Sequence, residues 1–285
     1  MKTLRKRKLL LLLLLLPALL GLGMAKPTAL PYDPGMTDYT GWVTANGDYY
    51  YLQNGNPLTG LQRVEGKYCF FDARGIKARA VGVDVSTYNE SIDWQLAKAQ
   101  GIDFAIIRVG GRGWTSGGIY DDVRAETYLR ESQKAGVMRG VYFYSTAISE
   151  AEAVEEAEYV LSVLDGRALE LPVFYDTELS GEYPDGRADG LTPWERTQNA
   201  LAFCRTIENA GYRAGVYSGR WFFQSRLNAE ALKGYALWVA AYTEDGMPPD
   251  FEENYGLWQF TDRGSVSGIR CGTDMNVMFV WCKMI

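Results

Sequence analysis

From residue 81 to near the C-terminus, short apolar runs alternate with helix-forming segments. The runs cover residues 81–85, 104–109, 137–144, 171–175, 214–217, 237–241, 257–260 and 275–280. Strands separated by helices pair in parallel, and eight such runs favour closure into a barrel over an open sheet. Two helix starts are explicit. Ser149 with Glu152 forms a capping box before residues 153–164, and Thr192-Pro193 with Glu195 opens a helix that Gly211 ends. The later runs crowd together, so the last helices should be short or missing.

The N-terminus reads differently. Lys2, Arg5, Lys6, Arg7 and Lys8 precede an apolar run over residues 9–20 and small residues ending at Ala25. That is the pattern of a secretory signal peptide over residues 1–25, its apolar stretch shorter than the roughly 20 residues a spanning helix needs. Cleavage there would make the net charge of −6 five units more negative. A secreted, acidic protein of this kind, extracellular or wall-associated, is expected to keep no stable membrane association. It would also be repelled by nucleic acid. Residues 26–40, rich in proline and turn formers, read as a linker.

Residues 41–79 contain a near-repeat. Gly41-Trp42, Asn46-Gly47-Asp48-Tyr49-Tyr50-Tyr51 and Asn54-Gly55 are followed by Gly60-Leu61, Glu65-Gly66-Lys67-Tyr68-Cys69-Phe70-Phe71 and Gly75. A glycine turn beside an aromatic strand specifies a β-hairpin in each unit.

The chain has no histidine. This excludes Ser-His-Asp and Cys-His nucleophile activation and every imidazole metal site. Cys69, Cys204, Cys271 and Cys282 have no CxxC spacing, so neither a zinc site nor any other metal or cofactor is expected. Cys271 with Cys282 is the disulfide pair to test first, and Cys204 lies on an apolar helix face as a buried thiol. The remaining strong chemistry is carboxylate chemistry. In barrels of this kind the active site lies at the C-terminal ends of the strands. Acids flank the ends of three runs, as Asp84, as Asp176 and Glu178, and as Asp274. If the strand continues through Glu178, it shares a face with Asp176, Cβ atoms roughly 6–7 Å apart. Like charges so close push one carboxyl toward its protonated form. A proton-holding carboxyl beside an ionised one is what glycosidic cleavage requires.

These residues carry a resemblance. Gly82-Val83-Asp84-Val85-Ser86, Ile92-Asp93-Trp94 and Gly101-Ile102-Asp103-Phe104-Ala105-Ile106-Ile107-Arg108 look like the opening of the glycoside hydrolase family 25 muramidases. The likeness continues through Gly140-Val141-Tyr142-Phe143-Tyr144, Tyr175-Asp176-Thr177-Glu178 and Gly215-Val216-Tyr217-Ser218. It then runs through Leu237-Trp238-Val239-Ala240-Ala241-Tyr242, Trp258-Gln259-Phe260 and Asp274-Met275-Asn276, spanning residues 80–285 in order.

The resemblance implies an α/β fold, a flattened TIM-like (β/α)5β3 barrel behind the small β-hairpin module. It implies cleavage of the β-1,4 bond between N-acetylmuramic acid and N-acetylglucosamine in peptidoglycan. Glu178 is then the general acid, Asp176 its companion, and Asp84 and Asp274 complete the acidic floor. Sugar rings would stack on Tyr144, Tyr217, Trp238 and Tyr242, with Arg108 meeting a substrate carboxylate. Alternatives are a glycan-binding protein without turnover and a hydrolase of another acetamido glycan such as chitin. The chain departs from the family at Phe143, where a histidine is frequent, and at Glu90, where a glycine commonly stands.

The hairpins resemble cell-wall-binding, choline-binding-type repeats, in which aromatic cages hold a quaternary ammonium by cation–π attraction. Trp42, Tyr49, Tyr51, Tyr68 and Phe70 would make the wall-polymer contacts. Leu61 and Cys69 depart from that pattern.

Overall fold

The computed structural model describes residues 37–180, 185–251 and 255–279. The expected signal peptide, most of the linker and Cys282 lie outside the described residues. Among the described residues no helix is long and apolar enough to cross a membrane.

The chain opens with five short strands. β1 (Gly41–Ala45), β2 (Asp48–Gln53) and β3 (Asn56–Pro57) form one antiparallel sheet, and β4 (Gly60–Val64) pairs with β5 (Lys67–Phe71). Both expected hairpins form. Asn46-Gly47 and Glu65-Gly66 each place two successive residues at positive φ, the turn whose twist matches that of the flanking strands.

Nine strands make the main sheet: β6 (Ala80–Val85), β7 (Phe104–Arg112), β8 (Ile119–Asp121), β9 (Met138–Ser145), β10 (Val173–Thr177), β11 (Ala214–Gly219), β12 (Ala236–Ala240), β13 (Leu257–Gly264) and β14 (Thr273–Met278). Their order is β6-β14-β13-β12-β11-β10-β9-β7-β8, and a further β6–β7 pairing closes eight of them into a barrel. β8 is a flap folded back on the end of β7. Every barrel pairing is parallel except those of β14, which runs antiparallel to both neighbours.

Helices α1 (Trp94–Ala99), α2 (Ala125–Lys134), α3 (Glu150–Leu164), α4 (Pro193–Asn209) and α5 (Arg220–Ser225) follow β6, the β7–β8 flap, β9, β10 and β11. Five β/α units and three further strands are therefore present, with the last helix shortened as the spacing predicts. α4 has the expected reciprocal box between Thr192 and Glu195. At α3 only half of it forms. Ser149 accepts from the Glu152 N–H, while the Glu152 carboxylate takes the Ile148 N–H and the Arg187 guanidinium instead.

Period-two alternation sorts the strand residues. Val81, Val83 and Val85, with Ala105, Ile107 and Val109, pack outward against the helices. Ala80, Phe104, Ile106, Phe174, Tyr217, Trp238, Leu257 and Met278 fill the barrel interior. The lumen is tight. A Cβ on Gly82 would lie 2.5 Å from the Phe104 ring, and one on Gly215 2.5 Å from Phe174, so these glycines make room for the two phenylalanines.

The second hairpin docks on the barrel. Phe70 is 1% exposed and packs edge-on against Trp258, 5.5 Å between centroids, and near Phe260 and Phe279. The Tyr68 hydroxyl donates to the Ser265 carbonyl, and the Tyr68 N–H to that of Gln100. The expectation of Phe70 as a ligand platform fails because barrel side chains cover its ring. Tyr68 is also engaged, with the Arg63 guanidinium 4.7 Å above its ring. Trp42 and Tyr49 remain exposed, and Trp42 meets the half-buried Tyr51 edge-on at 5.1 Å.

Cys204 is buried on α4, its thiol donating to the Gly215 carbonyl, as the apolar helix face predicts. Cys69 is also buried, and Cys271 is exposed.

Candidate functional site

Alternation along each strand sends one polar side chain after another to the inner face at the same rim. On β6 that residue is Asp84. β14 enters from the opposite direction, so its first turns bring Asp274 into register with Asp84. Asn276, two residues on, shares that face. On β10 it is Asp176, which stands in register with Tyr144 of β9 and Tyr217 of β11. Strand β10 ends at Thr177, so Glu178 is the first residue beyond it rather than a continuation of the pleat. Thr177 is held from both sides. Its hydroxyl accepts from the buried Arg196 guanidinium and its carbonyl from the Ser218 hydroxyl. This fixes the backbone between the two acids.

The floor is one hydrogen-bonded network. Asp84 Oδ2 accepts from Asn276 Nδ2 at 2.8 Å and from Gln259 Nε2 at 2.9 Å. The same Gln259 amide reaches Asp274 Oδ2 at 3.2 Å. Gln259 Oε1 accepts from the hydroxyls of Tyr217 at 3.0 Å and Tyr242 at 2.9 Å. Asn276 Oδ1 accepts the indole N–H of Trp238 at 2.8 Å.

Burial and like charge raise all four acids. Asp84 is pushed up by burial, opposed by its hydrogen bonds from Asn276 and Gln259. Asp274 is pushed up to about 8, by loss of hydration and then by the Asp84 charge beside it. Asp176, 3% exposed with its Oδ1 unpartnered, is driven well above the usual carboxylate range by burial and then by Glu178 and Asp84. Glu178 is open to solvent. Even so, the surrounding protein strips enough hydration that, with the Asp274 charge, it is pushed up to about 7.

The other expected contacts divide. Tyr144 is half-buried beside the acids, and burial with the Asp176 charge raises its hydroxyl. Tyr217 is buried, and Tyr242 is 53% exposed. Tyr242 lies past the end of β12 and reaches Gln259, while Trp238 on β12 reaches Asn276. Trp238 is 1% exposed beneath the floor, packed against Phe174 and Tyr217, so its ring presents no face to solvent. Arg108 is already paired, its Nε donating to Asp122 at 2.8 Å while its guanidinium lies over the Tyr88 ring. Its charge acts on Asp176, opposing the rise in that acid's pKa.

Sequence reasoning missed Gln259 and Asn276 as site residues, and Tyr88, whose ring lies against the Arg108 guanidinium. The signal for the first two was present. Each is a polar residue inside an apolar strand, and Asn276 lies two positions from Asp274.

The chain resembles known proteins over its barrel. The family model described as Glycosyl hydrolases family 25 matches residues 83–269. An "Autolytic lysozyme" of Clostridium acetobutylicum is 26% identical over 196 residues, 68% of this chain and 54% of that protein. "Lysozyme M1" of Streptomyces globisporus is 26% identical over 208 residues, 68% of this chain and 66% of that one. The modular autolysin LytC of Streptococcus pneumoniae, solved with a synthetic peptidoglycan ligand, shares the fold at TM-score 0.66 and 24% identity. That match covers 84% of this chain and 58% of LytC. A family 25 glycosyl hydrolase of Bacillus anthracis does so at TM-score 0.59 and 19% identity, over 71% and 90% of the two chains. The chain thus spans little more than half the length of the autolytic lysozyme and of LytC. With the family match covering most of the barrel, the chain belongs to glycosyl hydrolase family 25.

Proposed function

We propose that the protein is a secreted muramidase that cleaves the β-1,4 bond between N-acetylmuramic acid and N-acetylglucosamine in peptidoglycan. The observation that carries the reading is the pairing of Glu178 with Asp176. A solvent-facing carboxyl raised to about 7 stands two residues past a buried one. At mildly acidic pH Glu178 holds a proton where a glycosidic oxygen can reach it, and transfers it to the leaving group as the bond breaks. Asp176, with Asp84 behind it, faces the positive charge that develops on the sugar ring, and that charge draws it toward its ionised form as the bond breaks. Asp274, tied to Asp84 through Gln259, completes the floor and orients the substrate. Tyr144 and Tyr242 are the ring faces left for sugar stacking, while Tyr217 and Trp238 support them from below.

In the same reading residues 1–25 direct export, residues 80–285 form the catalytic domain, and residues 41–79 hold the enzyme to the wall. Trp42, Tyr49 and Tyr51 would form the surface that meets a wall polymer. The names of the two lysozyme relatives and the peptidoglycan complex of LytC support the substrate.

The test is digestion of purified peptidoglycan, following new reducing ends and identifying the products by mass spectrometry. Fragments with a muramic acid reducing terminus are expected. Binding without release would make the protein a lectin, and cleavage of chitin alone would make the substrate another acetamido glycan.

A further inference from the structure

Beside the acids lies a cavity whose lining, apart from Tyr242, the chemistry described so far does not use. It has a volume of about 730 Å³ and is lined by residues from two rim loops, among them Arg220, Trp221, Tyr242 and Glu244. Gly219 at the end of β11 pairs with Ala240 at the end of β12, and both line it. The cavity therefore opens at the rim that carries Asp176, whose register partner Tyr217 is on β11. Tyr242 joins the two. Its hydroxyl donates to Gln259, which holds Asp84 and Asp274, while its ring walls the cavity.

The lining is poorly matched to a neutral sugar alone. Arg220 is exposed and makes no hydrogen bond or ion pair with another described residue, and the same holds for Glu244. Trp221 is 57% exposed, and Asp245 adds a second carboxylate to the lining. Two broad aromatic faces with unpaired charges of both signs suit a short peptide bearing carboxylates and an amine. A guanidinium binds a carboxylate in a fork, and the aromatic rings cover its backbone.

We infer that this cavity receives the peptide stem carried by the muramic acid residues of the glycan. Arg220 pairs with a stem carboxylate, Trp221 packs on the peptide, Tyr242 stands between the peptide and the sugars, and Glu244 faces the free amine. The inference rests on the peptidoglycan reading above. It makes the enzyme a reader of stem-bearing strands, with the stem beside the β11 and β12 loops while the sugars lie over the acids.

Calorimetric titration separates the two ideas. The probes are N-acetylglucosaminyl-N-acetylmuramic acid with and without a tetrapeptide stem, neither of which contains the bond to be cut. The intact protein is expected to bind the stem-bearing probe at least about tenfold more tightly, a difference of about 1.4 kcal/mol. Arg220→Ala should lose most of that preference, and Glu244→Gln part of it, with the melting temperature unchanged. Equal affinity for the two probes, no binding of either, or an unaltered preference in Arg220→Ala would overturn the proposal. Failure to cut peptidoglycan, with stem-dependent binding intact, would sink the muramidase reading and leave the binding site standing.

Discussion

Asp84 and Gln259 meet at 2.9 Å, and the contact can form in only one sense. Two tyrosine hydroxyls already occupy Gln259 Oε1, so its NH2 must face the acids, donating to Asp84 and, more weakly, to Asp274. Gln259 thereby sets the balance between two carboxyls held in one register pair. Gln259→Glu replaces those donors with a third acid and leaves the tyrosine hydroxyls a partner. Hydrogen bonds to charged groups are worth about 1.5–3 kcal/mol, so kcat/KM on peptidoglycan should fall roughly 10- to 150-fold. Activity within twofold of the parent protein would remove Gln259 from the site.

Glu178→Gln keeps the shape of the proposed acid but has no acidic proton to give. General acid catalysis contributes typically 10²–10⁴-fold, so kcat should drop by about that factor. The side chain is exposed and the change removes a negative charge facing Asp176 and Asp84, so the melting temperature should not fall. A near-normal rate would assign the proton transfer to another group.

The raised acids also fix how activity and stability vary with pH. Glu178, raised to about 7, must be protonated to act, so kcat/KM should decline above about pH 7. For stability, a carboxyl whose folded pKa exceeds its unfolded value binds more protons when folded. Its contribution is complete below the unfolded pKa, about 4, and is lost as pH rises through the folded value. With Glu178 at about 7 and Asp274 at about 8, the melting temperature should fall between about pH 4 and pH 8. A profile rising with pH over that window would contradict the assignment.

Asp176→Asn tests the same repulsion at its most buried member. The unpartnered Oδ1 and the neighbouring acids make ionised Asp176 a destabilising group. The neutral amide should therefore raise the melting temperature at pH 7–8, by about 2–4 °C for each kcal/mol relieved. Turnover should be lost at the same time. Lower stability with lost activity would mean that the carboxylate is a structural element.

The barrel was legible because both of its determinants are local. Apolar runs such as residues 104–109 and helix starts such as Thr192-Pro193 are written in consecutive residues. The acids could also be read, because Asp84, Asp176 and Asp274 sit on strands whose alternation fixes their face. What escaped depends on contacts far apart in sequence. The exposure of Trp238 was not legible, since Phe174 and Tyr217 cover it from other strands. Nor was the engagement of Arg108, whose partner Asp122 lies beyond the β8 flap. The position of Tyr242 depended on where β12 stops, and strand ends are set by neighbours as much as by their own residues.

The hairpin module separates cleanly into a docked side and an open side, and substitutions should separate with it. Phe70 fills a space among Trp258, Phe260 and Phe279, all on or beside the last barrel strands. Phe70→Ala should cost about 3–5 kcal/mol, the range for emptying a buried phenylalanine site, read as a lowered denaturation midpoint. Trp42 is 36% exposed on the opposite sheet of the module, against Tyr51. Trp42→Ala should lose no more than about 1 kcal/mol of stability, because it leaves no enclosed cavity. If the module holds the wall, the same change should weaken sedimentation with whole cell walls and spare turnover of short soluble glycan. Normal sedimentation in Trp42→Ala and Tyr49→Ala together would leave the module with only its packing against the barrel.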